Sequence, residues 1–412
     1  MTPTDPPSGS VGSSRRSEVA GLDSLALAAV LAAVVLGASM VSVHAGLSVA
    51  ILELVGGVFV GNALGAEPQE WLVFIATFAG VVLTFLAGAE VDVGLLRREW
   101  KPSVAIGLVS FAAPFVVAMA AAYWLLDWSA KASAIAGIAL STTSLAVVYA
   151  VLVESGLNQA RLGKLLMSAT FVTDFATAAA LSTIFIRPNP WFAAFLAVSI
   201  AVILALPKLA PPFFRRYGDR VIEPEIKLVF AALLLLMWLG ERSGGHAVLP
   251  AFVLGLVMAR HYESHRREQE RLRVVAFAFL TPLFFVRGGM AVSLSAVWTS
   301  LGALGVLFAA KMLPKLGGVY PLARRTLRGP GEAWFGTLLM STGLTFGTIS
   351  SLYGLNAGII DRTQFSLLLT VVVGSAVIPT IIAQRWFTPH HAIPGARDSL
   401  AEDVAAEPEA AR

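Results

Sequence analysis

The sequence FVTDFAT, from Phe171 to Thr177, puts a carboxylate inside a stretch that otherwise predicts a lipid-buried helix. The stretch belongs to a longer apolar segment, Leu162 to Ile186. An ionised carboxylate at that depth costs about 2.5 to 3.5 kcal/mol even on the mildest scale, and acids retained there usually bind a proton or a cation. Asp174 is therefore the first candidate functional residue. The alternative is a buried ion pair that ties helices together.

The composition places the chain among polytopic membrane proteins. Of its 412 residues, 57% are apolar and 14% are charged, which is outside the range of soluble globular domains. The absence of cysteine excludes disulfides, thiolate metal sites and cysteine nucleophiles. A net charge of +4 gives no indication of nucleic-acid binding. Segment 1–21 is rich in Ser, Pro and Gly and is predicted to be disordered, and 389–412 is predicted to be a polar tail.

Thirteen apolar segments are each about long enough to span a bilayer, so the sequence predicts an all-α membrane protein of thirteen helices. They cover approximately residues 22–43, 46–65, 71–90, 103–126, 132–153, 162–186, 191–210, 225–241, 245–261, 274–292, 297–318, 333–354 and 364–387. Basic residues concentrate in the odd-numbered loops, such as Arg266, Arg267 and Arg271. The positive-inside rule then predicts an N-terminus outside and a cytoplasmic C-terminus in the cell (inner) membrane.

Six spans, a linker span and six more give two halves of opposite topology, a common plan of secondary transporters. The fifth segment of each half carries a polar run, LSTTS (Leu140 to Ser144) and MSTGL (Met340 to Leu344). Paired interruptions of this kind indicate a transport site between the halves. The alternative is that these hydroxyls only bond back to their own helix. If both helices break near the midplane, their half-helix ends would carry partial charges, positive ends favouring a carboxylate and negative ends a lysine.

Hydroxyl and basic side chains complete the candidate site. Thr170 and Thr177 lie about one turn from Asp174 on the same helix face. Further hydroxyls, which can help to dehydrate a bound cation, are Thr142, Thr143, Thr345 and Thr348. Lys311 and Lys315, four residues apart in KMLPKLGG, are candidate partners of Asp174. The alternative for either lysine is to extend towards the cytoplasmic headgroups.

Two further charged residues are supporting candidates. Arg287, in FFVRGGM, is expected at the outer end of its span, where it lines a vestibule, pairs with an acid or sits at the interface. Glu53 is a second intramembrane acid and is interpreted as a structural partner of a basic residue. The sequence contains no HExxH, Walker-type loop or GxSxG motif, so neither an enzyme nor a cofactor is predicted.

These motifs, in this order, resemble the second branch of the monovalent cation:proton antiporter family, which includes thirteen-span sodium/proton antiporters and the membrane part of potassium efflux systems. The resemblance covers about Leu22 to Phe387. It is carried by ILELVGGVFVGNALG from Ile51, FLAGAEVDVGLLRR from Phe85, STTSLAVVYAVLVESG from Ser141, VTDFA around Asp174, HAVLPAFVLGL from His246, TPLFFVRGGM from Thr281 and KLGG from Lys315.

The resemblance implies a homodimer in which a mobile core moves like an elevator past a dimerisation part. That part would cover about 22–90 and 225–292, the linker helix about 191–210, and the core about 103–186 and 297–388, within a transmembrane domain 22–388. It further implies that the two interrupted helices cross at their unwound centres. Asp174 would be the ion-binding aspartate and Lys315 its charge-compensating partner, with Lys311 as the other candidate.

One residue departs from the family pattern. Members that move two protons per sodium usually carry paired aspartates, whereas here Thr173 precedes Asp174. The sequence therefore predicts electroneutral exchange of Na⁺ or K⁺ for H⁺, with the transported ion at Asp174. A nucleotide-binding gating domain would have to be a separate subunit. The other hypotheses are a sodium-coupled symporter of an organic anion, with Arg287 facing the anion, and a passive channel.

Overall fold

The computed structural model describes residues 23–45, 48–91, 94, 100–158, 160–186, 189–218, 220 and 222–389, and every regular element in them is helical. The helices are α1 (Ser24–Ala45), α2 (Val49–Ala63), α3 (Glu70–Ala89), α4 (Trp100–Trp124), α5 (Ala130–Ser141), α6 (Leu145–Glu154), α7 (Arg161–Ile184), α8 (Trp191–Tyr217), α9 (Pro224–Ser243), α10 (Val248–Ser264), α11 (Arg266–Val275), α12 (Thr281–Met290), α13 (Leu294–Thr299), α14 (Leu301–Thr326), α15 (Pro330–Met340), α16 (Thr345–Asn356) and α17 (Arg362–Trp386). The predicted N-terminal segment 1–21, and the predicted tail apart from Pro389, lie outside the described residues.

Nine helical stretches in the described part of the chain are long and apolar enough to cross a membrane, and α2 and α10 are shorter apolar helices. The polytopic all-helical fold predicted from the sequence is therefore confirmed. Helix α9 is not among the nine: Glu225 and Lys227 lie near its start, and Glu241 and Arg242 near its end. The number of thirteen spans and the inverted repeat remain predictions.

Several helices extend beyond the apolar segments that predicted them. The structure continues α8 to Tyr217, past the predicted limit at 210, and α14 to Thr326, past 318. These extensions carry arginine, which ends an apolar segment but is a good helix former. A hydropathy pattern therefore locates the buried part of such a helix and underestimates its length.

The two polar runs are interruptions of helices, as the sequence predicts. Residues 142–144 separate α5 from α6, and residues 341–344 separate α15 from α16. Thr142 has an extended backbone with φ −65° and ψ 155°, and the Ser144 side chain accepts a hydrogen bond from the backbone N–H of Val147. The hydroxyl side chains of the first run therefore belong to a real break, at which Ser144 caps the second half of the helix.

A third irregularity lies between α11 and α12. Residues Ala276–Leu280 form a π-helical turn that leads directly into Thr281 and Pro282. Proline has no N–H to donate, so the regular hydrogen-bond ladder is interrupted next to this turn. π-helical turns often occur at functional sites, because they redirect the side chains that follow.

The packing of the helices brings the two interruptions together. Helix α4 packs against α5, α7 and α14, and α5 is crossed by α16. On another side of the bundle, α2 packs along α12 and α3 along α10. The two breaks therefore meet inside the bundle, and the residues of both breaks are buried.

Candidate functional site

The two helix breaks are in direct contact at the centre of the site. Thr143 Oγ1 donates a hydrogen bond to the backbone oxygen of Met340 at 2.9 Å. Gly343 faces Thr142 so closely that a Cβ atom on Gly343 would lie 2.8 Å from Thr142 Oγ1 and 2.5 Å from Lys311 Nζ. It would also lie 2.9 Å from the Thr142 backbone oxygen, so a side chain at this position would force the two breaks apart.

Lys315 binds the ends of the first half of each interrupted helix. Its ammonium group is fully buried and donates to the backbone oxygens of Thr142 (2.8 Å) and Met340 (2.7 Å). It also lies within hydrogen-bond distance of Thr143 Oγ1 (3.0 Å) and Ser110 Oγ (3.2 Å). The C-terminal ends of helices carry partial negative charge, so they are a favourable environment for this cation.

Lys311, one turn before Lys315, has a different environment. It too is fully buried, but none of the described residues forms a hydrogen bond with its Nζ atom. It lies beside Gly343 at the crossing of the two breaks. Neither lysine extends to a surface, so the alternative that they reach the headgroups is not what the structure shows.

Asp174 lies in a small cavity of about 80 Å³ on the other side of the crossing. Its side chain is buried, and its Oδ1 atom has no hydrogen-bond partner in the part of the chain that the structure describes. The first residues of α6 and α16, Leu145 and Thr345, line the same cavity. Helix N-termini carry partial positive charge, so the two breaks direct their positive ends towards the carboxylate.

Asp174 and Lys315 are near enough to influence each other electrostatically. Within the described part of the chain, however, Asp174 forms no ion pair with a nitrogen atom inside 4 Å, and the donors of Lys315 are taken by the two breaks. The pairing of these two residues remains a prediction.

The cavity extends to one end of the bundle, here called the basic end because α11 brings Arg271 and Arg273 there. Glu90, directly after α3, lines the cavity and lies 3.3 Å from Arg273 Nε. Burial raises the pKa of Glu90 above its ordinary value, and the Arg273 guanidinium opposes that shift. Phe277, within the π-helical turn, and Thr281, directly after it, line the cavity as well.

The predicted hydroxyl residues separate into two groups. Thr143 and Thr345 line the cavity together with Asp174. The others do not line it, and most of them bond within their surroundings: Thr142 Oγ1 donates to the Ala139 oxygen, Thr170 Oγ1 to Met340 Sδ, Thr173 Oγ1 to the Ala169 and Gly107 oxygens, and Thr177 Oγ1 to the Thr173 oxygen. Thr348 Oγ1 is buried and has no hydrogen-bond partner within the described ranges.

The two supporting candidates lie outside this cavity. Glu53 is 2% exposed, and its Oε2 atom accepts no hydrogen bond from any residue that the structure describes. It stands one turn after Ala50, which lines the cavity. Arg287 is 6% exposed and lines a second cavity, where its Nη2 donates to Asn356 Oδ1. The sequence left three positions open for Arg287, and in the structure its side chain is part of a cavity wall.

Sequence reasoning did not identify two groups that the site uses. Ser110 Oγ and the Met340 backbone oxygen both bind Lys315, and Ser110 also contacts Met340. A single serine in the apolar α4 segment is common, and a backbone oxygen has no sequence signal. Pro282, directly after Thr281, is a weak sequence signal for the irregular turn that precedes it.

A helical membrane bundle in which two broken helices meet beside a buried acid has the architecture of a secondary transporter. The chain belongs to the family described as sodium/hydrogen exchanger, transmembrane, whose pattern it matches over residues 26–388. This confirms the prediction of a monovalent cation:proton antiporter family. The assignment to the second branch of that family stays a prediction.

The descriptions of individual relatives agree with this family assignment. The chain is 25% identical to the probable Na⁺/H⁺ antiporter 3 of Methanocaldococcus jannaschii over 81% of this chain and 89% of that protein. It is 24% identical to cation/H⁺ antiporter 18 of Arabidopsis thaliana, over 82% of this chain but only 46% of that protein. Its fold is similar to that of the sodium proton antiporter MjNhaP1 from Methanocaldococcus jannaschii, with a TM-score of 0.64 and 16% identity over 87% and 96% of the two chains. Antiporters are transporters and not enzymes, so the family excludes the enzyme classes.

Proposed function

We propose that this protein exchanges a monovalent cation, Na⁺ or K⁺, for H⁺ across the membrane, and that Asp174 holds the proton and the cation alternately. The observation that carries the proposal is the unpartnered carboxylate oxygen of Asp174 in a cavity between two helix N-termini. A carboxylate with free acceptor capacity can take a proton or a hard cation, since both prefer oxygen. Thr143 and Thr345 line the same cavity, and of their two hydroxyl groups that of Thr143 is already bonded to Met340 and Lys315, so Thr345 is the better candidate for a further oxygen ligand.

Lys315 has two roles in this proposal. Its hydrogen bonds to the Thr142 and Met340 oxygens hold the two breaks together, and its charge compensates Asp174 when no cation is bound. Lys311 is the second candidate for compensation, because its ammonium group is buried and has no hydrogen-bond partner. In either case a positive charge stays next to the empty site, which lowers the free energy of the unloaded carboxylate.

Access to Asp174 would alternate by an elevator-type motion. The cavity lies between residues of α2, α3 and the π-helical turn on one side, and residues of α6, α7 and α16 on the other. If the core (about 103–186 and 297–388) slides past the dimerisation part (about 22–90 and 225–292), the cavity opens to the opposite side. The α8 segment would link the two parts in a homodimer. The basic end faces the cytoplasm in this proposal, with the N-terminus outside.

The exchange would be electroneutral. A second acid at position 173 would allow two protons to be exchanged per cation, but the residue there is Thr173. Its hydroxyl donates to the Ala169 and Gly107 oxygens, and Thr173 does not line the Asp174 cavity. Of the two carboxyl groups that line the cavity, Asp174 lies at the N-termini of α6 and α16, whereas Glu90 is paired with Arg273 at the basic end, and a single carboxyl group at the helix ends supports one proton per cation.

The test is exchange in proteoliposomes, read by an internal pH dye with the membrane potential clamped. Asp174→Asn removes the charge and the proton site, and we expect cation-driven proton flux to fall by about 100-fold or more. The matched control is Asp361→Asn, because Asp361 caps α17 outside the site and asparagine is an equally good cap. Wild-type flux in Asp174→Asn would overturn the proposal.

Two further measurements in the same vesicles define the substrate. Proton flux against Na⁺, K⁺ and Li⁺ in turn identifies the preferred cation. Sodium-driven uptake of an organic anion without proton movement would replace antiport with the symport hypothesis.

A further inference from the structure

A second cavity lies beyond the Asp174 cavity, towards the end of the bundle opposite the basic end. Its volume is about 570 Å³, and it is bounded by α3, α12, α16 and the end of α9 with the loop that follows. On α16, Phe346 lines the Asp174 cavity and Ile349, one turn later, lines this one. We call it the outer cavity. No step of the proposed exchange uses it.

The outer cavity contains a buried cation with unused donors. Arg287 is 6% exposed, and its Nη2 donates to the Asn356 side-chain oxygen, while its Nε and Nη1 atoms are buried and find no hydrogen-bond partner among the described residues. A buried guanidinium with unsatisfied N–H groups is costly, and it is normally retained where an anion completes its hydrogen bonds. Arginine is also the residue whose planar fork best matches a carboxylate.

The other walls decide what kind of anion fits. Phe284, Ile349 and Leu352 are buried apolar residues that line the outer cavity around Arg287. His246 and Tyr353 also line it, but they are hydrogen-bonded to each other at 2.8 Å. Glu241, the acid of this cavity, is exposed. An apolar chamber of this size with one unsatisfied cation is typical of a site for a small organic molecule.

We propose that the outer cavity binds an organic monocarboxylate with a compact apolar body, such as an aromatic or short aliphatic acid. The carboxylate accepts hydrogen bonds from the free donors of Arg287, and the body packs against Phe284, Ile349 and Leu352. An inorganic anion would satisfy the guanidinium but would leave the apolar walls unfilled. The site is independent of Asp174, so its test does not depend on the exchange activity.

The experiment is a calorimetric titration of benzoate into the purified full-length protein at pH 7.5, with benzyl alcohol as the uncharged probe of the same shape. We expect saturable benzoate binding that is weakened roughly tenfold or more in Arg287→Gln, because a charge-assisted hydrogen bond is lost. The matched control is Arg362→Gln. Arg362 binds the Ala291 and Met290 oxygens and does not line the cavity.

A second variant tests the apolar part of the site, and it decides the question if Arg287→Gln does not fold. Thr77 lines the outer cavity from α3 and is half-buried, so Thr77→Phe adds bulk without touching the charge. We expect it to weaken benzoate binding as well. The proposal is overturned if the wild type shows no saturable benzoate binding, if both variants bind as the wild type does, or if benzyl alcohol binds as tightly as benzoate.

Discussion

On each side of the helix crossing, one buried charged side chain faces the ends of two half-helices. The two sides differ in how completely the hydrogen-bonding groups of that side chain are satisfied. On one side, Lys315 meets two backbone oxygens and two hydroxyl groups, all within 3.2 Å. On the other side, Asp174 faces two helix N-termini and keeps a carboxylate oxygen without a hydrogen-bond partner. The same pair of breaks thus holds a lysine rigidly at its negative ends and leaves an acid available at its positive ends.

This difference separates structure from function within one site. A buried polar group with every partner in place fixes a geometry, and removing one partner leaves the others unsatisfied. A buried acid with spare acceptor capacity is costly for the empty protein and gains most from a ligand. We therefore expect changes at Lys315 to act mainly on stability and changes at Asp174 mainly on exchange.

The largest stability effect is expected from Lys315→Met. It removes the donor that binds the Thr142 oxygen and one of the donors of the Met340 oxygen, which keeps its hydrogen bond from Thr143 Oγ1, and a buried group left unsatisfied costs about 1 to 3 kcal/mol. The matched variant Lys311→Met removes a buried ammonium group that has no hydrogen-bond partner, so it should be neutral or stabilising. Thermal unfolding in detergent measures both. Equal destabilisation by the two variants would contradict the comparison.

A smaller effect is expected at the mouth of the Asp174 cavity. Glu90→Gln removes a negative charge along the cation's path, so we expect the apparent KM for the cation to rise about 2- to 5-fold at low ionic strength. The increase should shrink in high salt, because screening weakens this attraction. Glu223→Gln is the control, since Glu223 pairs with Arg271 at the basic end but does not line the cavity. An equal rise of KM in the control would show that the effect is not specific to the cavity mouth.

The smallest effect is expected from pH at His246, in the loop between α9 and α10. Burial lowers the pKa of this imidazole, so the folded protein favours the neutral ring, although a hydrogen bond with the Phe185 backbone opposes the shift. The stabilisation is present above the ordinary histidine pKa and is lost as pH falls through the lower folded-state value. Tm measured between pH 7.5 and 5 should fall less in His246→Gln than in the wild type. A parallel decrease would contradict this assignment.

Much of this fold could be predicted from the sequence, because bilayer burial leaves a strong pattern. The apolar segments located the helices, and the polar runs at Thr142 and Thr342 located both breaks. The expectation that negative helix ends favour a lysine agrees with the position of Lys315. The remaining features depend on packing: no pattern shows that the Met340 oxygen and Ser110 would meet that lysine, or that Arg287 would face a cavity with free donors.

The most direct test of the central claim is the number of protons released when the cation binds. Calorimetric titration of Na⁺, or of K⁺ where it is the preferred ion, into the purified protein in buffers of different ionisation enthalpy gives this number. If Asp174 holds the proton and the cation in turn, about one proton should be released per cation at a pH where the empty site is protonated, and Asp174→Asn should abolish both binding and release. Cation binding without proton release in the wild type, or proton release that persists in Asp174→Asn, would contradict the shared site.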